Sequence, residues 1–202
     1  MGAITISVTD QVTPEINAIV GRLRNRRPMY RMIGNRVKHL VRDHLIKRSQ
    51  AVRNKLGAPS SGFWGQAAEK VATTAPVADN DSVSLSLNHP GVARAFGPVT
   101  IRPLTGVYLT IPRIAEAYNK RAYRVPGLFF VKTKKGKAFL AESTGGGSGV
   151  KGKLKIWYSL VPVVHQQQDR TILPSDQQIE GAALQGVDDY LGVLLAQKGG
   201  AK

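Results

Sequence analysis

Chemistry in a chain without cysteine must come from histidines, carboxylates, hydroxyls and lysines. Thiolate nucleophiles, thiolate metal sites and disulfides are excluded at once. Four histidines are present: His39, His44, His89 and His165. His39 and His44 stand five apart in a helical stretch, so they do not share a face as an i, i+4 pair of metal ligands would. His165 has Asp169 four residues on, but three glutamines lie between them and no G-x-S-x-G nucleophile elbow occurs. Asp188 and Asp189 are adjacent, hence more than a quarter-turn apart on a helix, which is wrong for paired acid and base work. Gly147 to Lys153 satisfies the first seven positions of the phosphate-binding pattern G-x-x-x-x-G-K-[ST]. Leu154 then replaces the magnesium-holding hydroxyl, and an alternating stretch follows where the motif needs a helix N-terminus. These residues predict no catalytic site, no metal and no cofactor.

Charge is the louder signal. The chain of 202 residues has 29 Lys+Arg against 13 Asp+Glu, a formal net charge of +16. Arg22 to Lys55 holds twelve basic residues and one acid, Asp43; Lys120 to Lys155 holds ten and one, Glu142. Asp169 to Asp189 reverses the sign, with five acids and only Arg170 as a base. Such separation points to an anionic partner, to another copy bound head to tail, or to both. Neither a signal-peptide pattern nor an apolar run of membrane-spanning length appears, so a soluble protein made in a cytoplasm is expected.

The elements that must carry these groups follow from periodicity. Ile4, Ile6 and Val8 alternate as a short strand. Thr13-Pro14-Glu15 has the composition of a helix start, and Pro28 should break that helix. Met29, Met32, Ile33, Val37, Leu40, Val41 and Leu45 keep helical spacing, with Arg31, Asn35, Lys38 and Arg42 on the other side. Trp64 to Ala72 predicts a further helix. Val83, Leu85 and Leu87 alternate with serines as a strand, and Val99 to Arg102 and Val107 to Ile111 predict two more. Ile114 to Tyr123 predicts one or two helical turns. Leu128 to Lys132 and Ala138 to Ala141 flank Lys134-Lys135-Gly136, the composition of a hairpin tip. Leu154 to Leu160 alternates again. Ser175 and Gln178 form a capping-box pattern ahead of an apolar face running from Ile179 to Leu194.

Helices at the ends and consecutive strands between them give an α+β fold. It has long N-terminal helices, a mostly antiparallel sheet with a projecting basic hairpin, and a C-terminal helix. One domain over 1–197 is expected, with a helical region at 14–55, a flexible glycine-rich loop at 144–152 and a disordered tail at 198–202.

Leu87-Asn88-His89-Pro90-Gly91-Val92-Ala93, Phe96-Gly97, Ile101-Arg102-Pro103 and Leu109-Thr110-Ile111-Pro112 together resemble the core of the phage virion morphogenesis proteins. That family includes Mu-like tail-completion and head–tail joining proteins. Leu173-Pro174 before a final helix ending in Asp189-Tyr190-Leu191 is also similar to the family's C-terminal pattern. Pro98 stands where the pattern has a second glycine, and the Gly145 loop has no counterpart in it. The resemblance implies a structural virion protein, not an enzyme, in the neck or tail top and in the host cytoplasm during assembly. Its implied partners are other copies in a ring, commonly a homo-hexamer, the flanking neck and tail proteins, and phage DNA touched without base reading; no membrane is involved. Arg31, Lys38, Arg42, Lys132, Lys134, Lys135 and Lys137 are then candidates for DNA-facing or inter-subunit cations. Asp176, Glu180, Asp188 and Asp189 are candidate acidic inter-subunit residues. His89, Pro90, Gly91, Phe96, Gly97, Pro103 and Pro112 are the motif's structural residues. The competing expectations are a small basic nucleic-acid-binding protein and a small hydrolase using His89 or His165.

Overall fold

The computed structural model describes residues 12–51, 56–58, 61–145 and 153–196. The expected Ile4 strand, most of the glycine-rich loop and the C-terminal tail lie outside these residues. Helix α1 spans Val12–Arg24 and begins one residue ahead of the expected cap at Thr13. Its break falls at Asn25 and Arg26, and α2 spans Arg27–Ala51 with Pro28 in its first turn. Proline is tolerated there because first-turn N–H groups have no helical acceptor to lose.

Helix α3 is Phe63–Thr73, followed by the short pair β1 (Val77–Ala78) and β2 (Val83–Ser84). The strand expected from Val83 to Leu87 therefore ends after two residues, because only β1 is there to pair with it. A single turn, α4 (Ala93–Phe96), leads to β3 (Val99–Ile101) and β4 (Leu109–Pro112). Two one-turn 3-10 helices, Ala115–Ala117 and Ala122–Arg124, stand where helical turns were expected. Then come β5 (Phe129–Lys132), β6 (Ala138–Thr144), β7 (Lys153–Val161) and β8 (Val164–Gln166). A 3-10 turn at Arg170–Ile172 precedes helix α5, Asp176–Ala196. The α+β class with antiparallel pairing and a C-terminal helix is thus the observed one.

The chain divides into two compact units: Met1–Asp43, Lys70–Leu87 and Pro174–Lys202 form one, and His44–Glu69 with Asn88–Leu173 the other. In the first, α2 and α5 meet at a glycine. A Cβ built on Gly186 would lie 2.6 Å from Ile33 Cα, which only the absence of a side chain permits. Gly34 gives the same close approach to Pro76 and Val83. Buried Val41, Val71, Ala182, Tyr190 and Leu194 make this unit's core. The capping box at the start of α5 is formed as expected. Gln178 N–H donates to Ser175 Oγ at 3.3 Å, and Ser175 N–H donates back to Gln178 Oε1 at 3.0 Å.

In the second unit four strands run β4-β7-β6-β5, all antiparallel, and β3 pairs with β8 separately. A register shift between Leu140 and Ala141 bulges the central pair. Tyr158 is fully buried, and its hydroxyl lies 3.1 Å from the carbonyl oxygens of both Ala117 and Lys120, tying β7 to the loop that carries the 3-10 turns. Pro112 sits on an edge strand. Arg113 N–H, the next donor along, points inward to Trp157 O at 2.8 Å, so proline's missing donor is on the outward side of the edge.

Candidate functional site

Three of the four histidines, His44, His89 and His165, make local contacts in separate places. His89 Nδ1 accepts from Gly91 N–H at 3.2 Å, and its ring packs edge-on against Phe63 with centroids 4.7 Å apart. A Cβ at Gly91 would lie 2.3 Å from the Phe63 ring, so the His89-Pro90-Gly91 turn needs that glycine for packing. His165 is hydrogen-bonded to Thr100 across the β3–β8 pair at 3.1 Å. His44 donates through Nε2 to Thr171 O at 3.0 Å, while His39 is exposed. Among the described residues no group of three or more His, Asp or Glu is placed to hold a metal ion. The stretch after Lys153 is strand β7, not a helix.

Asp169 turns away from His165 to a different partner. Arg48 Nη2 donates to its carboxylate at 2.7 Å, and Arg48 Nη1 donates to Thr171 O and Oγ1, both at 3.0 Å. The guanidinium lies over Trp64, 4.8 Å from the ring centroid. Its Nε is the buried side-chain polar atom without a hydrogen-bond partner among the described residues. Hydrogen bonds from Thr171, reinforced by the Arg48 charge, hold the Asp169 carboxyl below the usual carboxylate range. This knot stitches α2 and α3 to the turn before α5 inside the second unit. The sequence gives little sign of it, because Arg48 is one base among twelve and its hydrogen-bond partners are more than a hundred residues away.

The predicted cations fall into two groups. Arg31 and Arg42 are exposed on α2, and Lys38 is half-buried beside them. Arg36, on the same helix, forms a bidentate ion pair with Asp189, Nη2 to Oδ1 at 2.9 Å and Nε to Oδ2. That pairing holds the Asp189 carboxyl low and engages its charge within the chain.

Lys132, Lys134, Lys135 and Lys137 are all exposed on the β5–β6 hairpin. The hairpin closes through Gly136 N–H to Thr133 O at 2.9 Å and Thr133 N–H to Lys137 O at 2.8 Å, with Gly136 at φ 79°. A three-residue loop of this kind needs a left-handed residue there, hence glycine. The nearby acids are already engaged: Glu116 pairs with Lys155 at 2.9 Å, and Glu142 accepts from Trp157 Nε1 at 2.9 Å. The hairpin lysines make no ion pair among the described residues.

Of the remaining acids, Asp176, Glu180 and Asp188 are exposed on α5, and none makes an ion pair among the described residues. Gly97 is extended at φ −177°, a conformation open to any residue and one that the following Pro98 favours. Phe96 is largely exposed and Pro103 half-buried.

Large apolar side chains are exposed in both units. In the second unit Leu104 is fully exposed at a loop tip, with Val107, Tyr123 and Phe130 also open. The rings of Phe130 on β5 and Tyr108, just before β4, lie 6.5 Å apart. No described helix is long and apolar enough to cross a membrane. No protein-family model, no curated protein and no solved structure matches the chain.

Proposed function

We propose that the chain is a structural subunit of a tailed-phage particle, assembling into a ring at the head–tail junction through which DNA passes. The observation that carries this reading is the pairing of open apolar side chains with unengaged charges in both units. Phe130 shares β5 with Lys132, and Leu184 and Leu195 share a face of α5 with Glu180 and Asp188. Exposed apolar side chains in such company mark surfaces meant to be covered by protein. The resemblance of His89 to Pro112 to the virion morphogenesis proteins supplies the setting. Cations that touch phosphates without reading bases would let DNA slide past.

The test is negative-stain imaging of particles from a lysate lacking this gene alone. Filled heads accumulating apart from unjoined or abnormal tails are expected; normal infectious particles would overturn the reading. The hairpin lysines favour a second reading, a free-standing basic nucleic-acid binder. That reading predicts tight binding by the purified protein that falls steeply with salt, together with normal particles in the same lysate.

A further inference from the structure

Helix α5 has two apolar faces, and its own unit uses only one. Ala182, Gly186, Tyr190 and Leu194 are buried. Glu180, Leu184, Asp188, Leu191 and Leu195 form a separate stripe within about 80° of arc at 3.6 residues per turn. All five are exposed, Leu184 and Leu195 at 61 % each. A leucine stripe flanked by two unengaged carboxylates calls for a partner with apolar side chains beside cations. The β5–β6 hairpin has that composition. Phe130 and Lys132 are two residues apart on one face of β5, Phe130 is 53 % exposed, and Lys134 and Lys135 extend the charge to the tip. The spacings also agree. Glu180 and Asp188 are about 12 Å apart along the helix axis. Lys132 to the tip lysines covers about 7–10 Å at strand rise, and lysine side chains supply the remaining reach.

We infer that the outer stripe of α5 is the docking face for the β5–β6 hairpin of a second copy of this chain. Phe130 would lie against Leu191 and Leu195, while Lys132 would face Asp188 and the tip lysines Lys134 and Lys135 would reach towards Glu180. The two patches differ, so the contact is head to tail, and a joined pair keeps one free patch of each kind, on different copies, for the next. This deepens the assembly reading and takes its biological setting from it, but it is measured on the purified chain alone. Failure of the contact and failure of the particle role are therefore separate results.

The experiment is sedimentation of the purified full chain up to about 1 mM, the weak end of specific association. Four samples are compared: wild type, Glu180→Lys/Asp188→Lys, Lys132→Glu/Lys134→Glu, and the two variants mixed. Concentration-dependent self-association is expected in the wild type. Each charge reversal should weaken it by about tenfold or more, and mixing should restore hetero-association. Unchanged melting curves check that the substitutions, all at exposed positions, leave the fold intact.

Because the chain has no cysteine, mixing Phe130→Cys with Leu191→Cys protein under mild oxidant adds a second readout that captures even weak contacts. A disulfide-linked heterodimer is expected to form faster than either homodimer. Association indifferent to both reversals would overturn the proposal, as would mixing without rescue. So would a monomeric wild type that also yields no preferential heterodimer. If hairpin reversal abolishes DNA binding while neither reversal alters self-association, the hairpin is a nucleic-acid surface and the proposal fails.

Discussion

Gly186 shows how one residue decides where two helices meet. Alanine is the better helix former by about 1 kcal/mol, so on propensity alone Gly186→Ala should stabilise α5. The added methyl would instead lie 2.6 Å from a backbone atom of Ile33, which cannot rotate away. Overpacking costs about 1–3 kcal/mol and wins. Gly186→Ala is expected to lower the denaturation midpoint, whereas Gly181→Ala on the same helix, with open space around it, should leave it unchanged or raise it. Arg48 is the corresponding residue of the other unit. Its three hydrogen bonds and its packing on Trp64 are lost together in Arg48→Ala, leaving Asp169 without its cation. A loss of about 2–4 kcal/mol in urea unfolding is expected. Neither residue is distinguishable in the sequence from its many glycine or arginine neighbours, since what sets each apart is a partner far along the chain.

The elements were easier to read than their partners. The 3.6-residue spacing from Met29 to Leu45 marks α2, and the reciprocal Ser175–Gln178 pattern marks the start of α5; both are local signals. Ser175→Ala removes the acceptor for Gln178 N–H and should cost about 1 kcal/mol by thermal melting, with the loss concentrated in amide-exchange protection of the first turn. Strand lengths were harder. Val83 to Leu87 alternates as well as Leu154 to Leu160 does, yet the former pairs over two residues and the latter belongs to a nine-residue strand. Alternation reports a half-buried face, whereas strand length depends on what lies alongside. The hairpin was legible because Lys134-Lys135-Gly136 is turn chemistry in itself. The leucines of α5 were not separable into two faces, because Leu191 and Leu194 both fit one helical stripe until burial divides them.

At the scale of the whole molecule, excess positive charge makes each carboxylate matter. Asp189 and Asp169 are both held low, the first by hydrogen bonds from Arg36 and the second by hydrogen bonds from Thr171. A carboxyl depressed in the folded state contributes stability that is complete above its unfolded pKa of about 3.9 and is lost as pH falls through the lower folded value. Melting temperature should therefore be nearly flat from neutral pH to about pH 5 and fall below about pH 4. The fall should be shallower in Asp169→Asn, which has already lost its share. The outward-facing edge of β4 bears on a different kind of robustness. With Pro112 in place of one of its outward donors, that edge is a poor template for a further strand, while the β5 edge contains no proline. A misassembled sheet grows without limit only when both of its edges accept a neighbour. This four-stranded sheet offers a single adhesive side, so errant pairing through β5 stops at two molecules, and a concentrated solution of the chain is protected from fibre growth through this sheet. Pro112→Val, which restores the donor, is expected to raise light scattering on heating while leaving the folded protein's melting point within a few degrees.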